Sequence, residues 1–292
     1  MTSVLRKVLK VTHSPEMSEG VGAKVHRGIG TQGLQQLDPF LLFDEGRVQS
    51  PAGFFDHPHR GFETVTYVLG GSIQHENFLG NQGIIREGDL QLMTAGKGIV
   101  HAEVPHGNQE YWVAQLWVNL KAEYKFCDPN YQELTKANIP KASRNGVNVT
   151  VLAGECLETK AAVFTRTPIT YLDFRLDPSA CHEQSGPSHW NVFVYVIEGN
   201  PTVSGVQTKP HDAVQFQKTG DHVTIENKTL QPCRLLYIAG EPIKEPVFHR
   251  GPFALATERD LLQTFEDYNK RKNGFEREEN WHSLAYKDRY MK

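Results

Sequence analysis

Strand-length runs of β-branched and aromatic residues recur along this 292-residue chain, each stopped by glycine, proline or aspartate. Residues 63–69 read ETVTYVL and stop at Gly70-Gly71. Residues 113–120 alternate apolar and polar. Residues 170–176 stop at Asp177-Pro178, and 192–197 stop at Glu198-Gly199. Short runs of this kind between breakers predict an all-β fold, a barrel or a sandwich. One segment departs from the pattern. Thr257 is placed to cap a helix, with Asp260 three residues on. Leu261, Leu262, Phe265 and Tyr268 then share one face, and Asn273-Gly274 closes the helix.

The length corresponds to about two domains. Residues 136–146, KANIPKASRNG, are polar and read as a linker. Tyr67-Val68-Leu69-Gly70-Gly71 is echoed by Tyr195-Val196-Ile197-Glu198-Gly199 at an offset of 128. Two barrels from a duplication fit this echo: residues 1–136, then 137–292 carrying the helix. The formal net charge of -3 leaves no basic excess to displace phosphate counterions, so no direct nucleic-acid partner is expected. No run approaches the ~20 apolar residues that span a bilayer, and the first residues lack a signal-peptide core. The four cysteines are scattered without a C-x-x-C pair, which suits a reducing compartment and buried free thiols. A soluble monomer is the expectation.

The chemistry concentrates in two short stretches. In a strand, residues i and i+2 share a face. His57 and His59, around Pro58, would aim two imidazoles at one point; alone, such a pair is weak. His101 and Glu103 stand at the same spacing. Two neighbouring strands offering these pairs inward would set three imidazoles and a carboxylate around one cavity, which suits a divalent transition metal. The alternative at this point is that His101 and Glu103 merely hydrogen-bond at a strand end. Gly20-x-Gly22 precedes no strand-turn-helix unit, and neither G-x-S-x-G nor a P-loop occurs.

The two stretches resemble the two motifs of the cupin superfamily, the first from Gly53 to Gly70 and the second from Gly88 to His101. Thr94-Ala95-Gly96 stands where the superfamily usually has Pro-x-Gly. Asp56-His57-Pro58-His59-Arg60-Gly61-Phe62-Glu63, Met93-Thr94-Ala95-Gly96-Lys97-Gly98-Ile99-Val100-His101-Ala102-Glu103, Leu37-Asp38-Pro39-Phe40-Leu41-Leu42-Phe43-Asp44-Glu45 and Asn273-Gly274-Phe275-Glu276-Arg277 narrow the resemblance to the pirin family, over nearly the whole chain. The resemblance implies two tandem cupin barrels. The N-terminal one would hold one divalent metal, Fe(II) for preference, and the C-terminal one would be degenerate. The family's ligands carry over onto His57, His59, His101 and Glu103. Ordinary cupins use the position of Glu63 instead. By parity Glu63 shares the face of His57 and His59, but a straight strand puts it ~13 Å beyond His59. Glu63 is therefore expected to orient a ligand by hydrogen bonding.

The offset of 128 puts Ser185, Pro187 and Asn191 at the places of His57, His59 and Glu63, which removes the ligands from the second barrel. His182 and His189 are then expected as solvent or loop histidines. The resemblance implies a quercetin 2,3-dioxygenase-type activity on a flavonol-like substrate with O₂, releasing carbon monoxide. Glu103 would be both ligand and catalytic base, with Phe54, Phe55 and Phe62 as apolar walls. The alternative is a non-enzymatic, iron- and redox-responsive co-regulator binding Rel-type transcription factors, with Lys24, His26 and Arg27 on its surface. The family resemblance implies nuclear and cytoplasmic location.

Overall fold

A computed structural model describes residues 3–291. The chain forms two compact units. One gathers Glu16–Ile29, Phe40–Lys136 and Ile243–Lys292. The other gathers the segment up to Pro15, Gly30–Pro39 and Ala137–Pro242. The expected division at 136/137 recurs as a junction, but both chain ends cross it. The first strand belongs with the second half, and the C-terminal helix belongs with the first.

Among the described residues, each unit has a seven-stranded antiparallel sheet and a four-stranded one. In the unit holding the histidines, the large sheet runs Asn130–Leu134, Leu90–Thr94, Phe62–Gly70, Tyr111–Asn119, Phe40–Val48, Ala23–Ile29, Glu16–Glu19. The small sheet runs Phe54–His59, Ile99–Pro105, Ser72–Asn77, Gln82–Arg86. The other unit has the large-sheet order Val8–His13, Asp212–Phe216, Asn191–Glu198, Cys233–Gly240, Ile169–Leu176, Val147–Ala153, Lys141–Arg144. Its small sheet runs Cys181–Ser185, His222–Glu226, Thr202–Val203, Val206–Gln207. The two orders correspond strand for strand. Phe62–Gly70 and Asn191–Glu198 hold equivalent places, as the offset of 128 requires. The place of Asn130–Leu134 is taken in the other unit by Val8–His13, which pairs antiparallel with Asp212–Phe216. That pairing protects an edge that would otherwise present unpaired backbone groups.

The interiors differ. The unit without the motifs is filled by aliphatic and aromatic side chains from both sheets, among them Leu172, Phe174, Val194, Val223, Ile225 and Leu235. In the histidine-bearing unit, Val68, Val113, Ile73 and Ile85 close one end. Thr66, His75, Asn77, His101 and Glu103 are buried polar residues of the same unit. The residues read as a linker contain a strand: Lys141–Arg144 pairs with Val147–Ala153 across Asn145-Gly146. Both turn residues have positive φ, 52° and 76°. The Asn-Gly pair, flanked by alternating residues, is a hairpin signal that polarity masked.

The helix α1 (Glu258–Asn269) starts as expected, with Thr257 Oγ1 accepting from the Asp260 N–H at 3.1 Å. Leu261 is buried, and Phe265 and Tyr268 pack beside Phe253 and Phe275. Leu262 is 59% exposed, so it does not belong to the buried face. The helix also ends earlier than Asn273-Gly274, because Arg271 already has φ 52°. Buried Thr264 and Asp267 complete the stripe, and their partner is Arg60. Arg60 is fully buried. Its Nη1 donates to Thr264 Oγ1 (3.1 Å) and Asp267 Oδ2 (2.9 Å). Its Nε donates to the Lys97 carbonyl and its Nη2 to the Asn273 carbonyl, both at 2.6 Å.

Removing one member of a buried ion pair strands the other charge. Arg60→Leu should therefore cost about 3–5 kcal/mol, read from urea unfolding followed by fluorescence. A loss below about 1 kcal/mol would mean that the pair does not anchor the helix.

Candidate metal centre

The strand Phe54–His59 ends at a sharp turn through Arg60-Gly61. Gly61 has φ +87°, and a Cβ there would sit 2.1 Å from the Ala254 carbonyl oxygen. No other residue fits without moving that backbone. The turn sends the chain from the small sheet into the large one, so the straight strand expected from His57 to Glu63 is corrected. Phe62 stays with the histidines: its ring centroid is 5.2 Å from that of His59 and 4.7 Å from that of Trp117. Glu63, one residue on, points to the opposite face of its strand. It lies across from Thr94 and Val118 and accepts from Thr94 Oγ1 at 2.7 Å. Thr66, on the Phe62 face, donates to Glu103 Oε1 at 3.2 Å. The parity that grouped Glu63 with His57 and His59 is lost at the turn.

The antiparallel register sets His101 opposite His57 and Ile99 opposite His59. The three imidazoles converge. One ring nitrogen from each of His57, His59 and His101 lies within 4.8 Å of the others, the one such group among the described residues. Ring centroids are 4.4, 4.8 and 5.0 Å apart. His59 and His101 are buried and His57 half-buried. His57 Nδ1 lies 2.7 Å from the Phe55 carbonyl, so it donates and leaves the Nε2 lone pair available. Both ring nitrogens of His101 and Nδ1 of His59 are buried without a hydrogen-bond partner. Such groups are costly in a finished core. A divalent cation fits them, since it supplies the missing partner for neutral imidazole.

Burial pushes the pKa of His57 down, and that of His59 and His101 well below the ordinary 6.5; for the last two, the neighbouring histidines add to the fall. Glu103 behaves differently. It follows His101 by two residues, and the pairing with the His57 strand shifts register between them. On its other side it lies opposite His75. Its carboxylate is not part of the three-histidine group. Burial raises its pKa, and His75 and the Thr66 hydrogen bond pull it back. Three of the four expected ligand residues thus meet directly, with Glu103 buried on the same strand.

Other residues near the site carry no motif in the sequence. His75 is buried, with Nε2 3.0 Å from Glu133 Oε1. A Cβ on Gly83 would come within 2.7 Å of that nitrogen, so glycine makes its room. Trp117 lies 5.2 Å from the His59 ring and 6.0 Å from the His249 ring. Thr64 and Thr66, at i and i+2 in the run 64–69, are the sequence signal for a polar interior. Of the expected apolar walls, Phe62 packs on the site, Phe54 lies 6.5 Å from the His57 ring, and Phe55 packs on Tyr290.

In the other unit the position mapped from His57 does not face inward. Ser185 is exposed, and the buried residue is Gln184, opposite Val223. His182 is not a loop residue: it lies on the strand Cys181–Ser185, its Nε2 3.1 Å from Gln184 Oε1. Cys156 and Cys233 are buried free thiols, but Cys181 is exposed.

His101→Ala should abolish metal uptake while far-ultraviolet circular dichroism stays native, and the parent protein should bind one metal per chain by elemental analysis. Two metals per chain would overturn the single-site reading. The metal-free protein should also lose stability on acidification. Folded His59 and His101 stay neutral below 6.5 while the unfolded chain takes up protons. Each therefore contributes stability that is complete above about 6.5 and falls by about 1.4 kcal/mol per pH unit below it, until its own folded pKa is reached. Urea midpoints at pH 7.5 and 5.5 check this, and His101→Asn should remove the His101 share of the difference while the His59 share stays.

The Pirin family model matches residues 22–118, and the Pirin C-terminal cupin domain matches residues 171–274. Pirin from Homo sapiens is 48% identical over 283 residues, covering 95% of this chain and 97% of that protein. A pirin-like protein from Solanum lycopersicum is 48% identical over 280 residues, covering 95% and 96%. Quercetin 2,3-dioxygenase from Acinetobacter baumannii superimposes with a TM-score of 0.84 at 30% identity, covering 93% of this chain and 99% of that one. With two cupin domains, a buried histidine cluster in one of them and these relatives, the chain belongs to the pirin family.

Proposed function

We propose that this chain is a metal-dependent dioxygenase of the quercetin 2,3-dioxygenase type, opening a flavonol ring with O₂ and releasing carbon monoxide. The observation that carries the reading is the buried group of three neutral imidazoles, in a fold shared with a quercetin 2,3-dioxygenase. His57, His59 and His101 would hold the metal, with Glu103 as the fourth protein ligand and Fe(II) as the metal we assign. Bound there, a divalent metal supplies Lewis-acid polarisation of a substrate hydroxyl. Glu103 would accept the hydroxyl proton. Burial raises its pKa, while His75 and the Thr66 hydrogen bond favour the ionised form that a base needs. Phe62 and Trp117, with rings 4.7 Å apart beside His59, would form an apolar wall for a flat aromatic substrate.

The test is the iron-loaded protein with quercetin in an oxygen electrode, with carbon monoxide measured in the headspace. Oxygen uptake matched by carbon monoxide is the expected result. Glu103→Gln should lower the rate about 10²–10⁴-fold, the range for loss of a positioned base. No oxygen uptake by fully loaded protein would overturn the enzymatic reading. Metal-dependent binding of a Rel-type transcription factor without turnover would then favour the co-regulator role.

A further inference from the structure

Thr66 has one hydroxyl proton and two oxygens within reach. Its Oγ1 is 3.2 Å from Glu103 Oε1 and 2.8 Å from Gln115 Oε1. Thr66 and Gln115 are cross-strand partners in the large sheet, while Glu103 comes from the small sheet. The group therefore bridges the two sheets across the barrel interior. Thr66 is 1% exposed and Glu103 7%. At such burial, an oxygen pair with no proton between is costly.

The chemistry of the three groups resolves the conflict. An ionised carboxylate only accepts, whereas a carboxamide presents oxygen or nitrogen in nearly the same shape. With the Gln115 amide turned so that nitrogen faces Thr66, Gln115 donates to Oγ1 and the hydroxyl donates to Glu103. Both contacts of Thr66 Oγ1 then carry a proton. Among the described residues, Thr66 is the one side-chain hydrogen-bond donor to Glu103. Gln91, the other cross-strand partner of Thr66, donates to Glu133.

We propose that Thr66, itself held by the Gln115 amide, is the positioning residue for Glu103. It fixes Oε1 and leaves Oε2 to engage the centre. The proposal rests on the reading of Glu103 as a ligand residue. Thr66 is not a catalytic residue: it acts on Glu103 and through it on the metal.

The experiment is a titration of the full-length apo-protein with Co(II), whose visible absorption bands report both affinity and ligand geometry. Thr66→Val should weaken Co(II) binding about 10–100-fold, the usual effect of removing a group that orients a ligand. It should also shift the visible spectrum, and Thr66→Ser should restore both. Gln115→Glu should mimic Thr66→Val, because a carboxylate at 115 can only accept and would capture the hydroxyl proton. Should Thr66→Val not fold, Gln115→Glu carries the test with the hydroxyl still present. Glu103→Gln separates the two claims. If it changes affinity and spectrum while Thr66→Val and Gln115→Glu leave both at the parent values, the positioning role is wrong and the ligand reading survives. If Glu103→Gln itself changes nothing, the ligand reading fails and the positioning role falls with it.

Discussion

The guanidinium of Arg60 is where the histidine-bearing unit is tied together. Four of its N–H groups reach acceptors on three separate segments: the Lys97 carbonyl before the His101 strand, Thr264 and Asp267 on α1, and the Asn273 carbonyl beyond it. The Phe275 ring lies beneath the guanidinium, 4.5 Å away. A planar fork of fixed donors can satisfy so many directions at once, which a lysine cannot. Lysine acts in this unit as a second clamp of a different kind. Buried Lys125 donates to the Gly61 carbonyl, the Ala254 carbonyl and Asn119 Oδ1 at 2.6–2.9 Å. Between them, these two side chains fix the turn at residues 60–61 from both sides.

That turn is why a metal centre can exist here. It stops the small-sheet strand directly after His59 and starts a large-sheet strand with Phe62. His59 then sits at a corner with Phe62 and Trp117 against it, while His57 faces His101 across the ladder. A strand running straight through would have carried the next inward residue past the site. Rigidity at the corner also lets three imidazoles remain neutral and close together, with both nitrogens of His101 and Nδ1 of His59 lacking hydrogen-bond partners. Their desolvation is an unfavourable term that packing elsewhere in the unit offsets, as expected where a local rule is broken at a functional site.

The two units show what the same strand order can hold. One interior is filled with aliphatic side chains and has no group of metal-ligating residues among the described ones. The other keeps His75, Thr66, Gln115 and Glu103 connected in its interior. A filled core favours stability, whereas a polar interior must satisfy every donor and acceptor it buries. The Thr66–Glu103 bond is an instance of that requirement being met.

The sequence by itself determined four of the principal strands, the internal echo at an offset of 128 and the residue types of the centre, because runs and spacings are legible without knowing which segments pair. β-Branched and aromatic runs with their breakers mark 63–69, 113–120, 170–176 and 192–197, against observed strands at 62–70, 111–119, 169–176 and 191–198, and the i, i+2 histidines declare a shared face. Tertiary structure decided what depends on pairing between distant segments. Which edge Val8–His13 would complete, and which core Leu261 would join, are choices among several exposed edges and faces that no local pattern ranks. The fate of Glu63 shows the same limit at the scale of one bond. Its parity with His59 was legible, but the positive-φ turn at Gly61, where the backbone of Ala254 nearly two hundred residues away leaves no room for a Cβ, reversed its face and brought Thr66 to Glu103 instead.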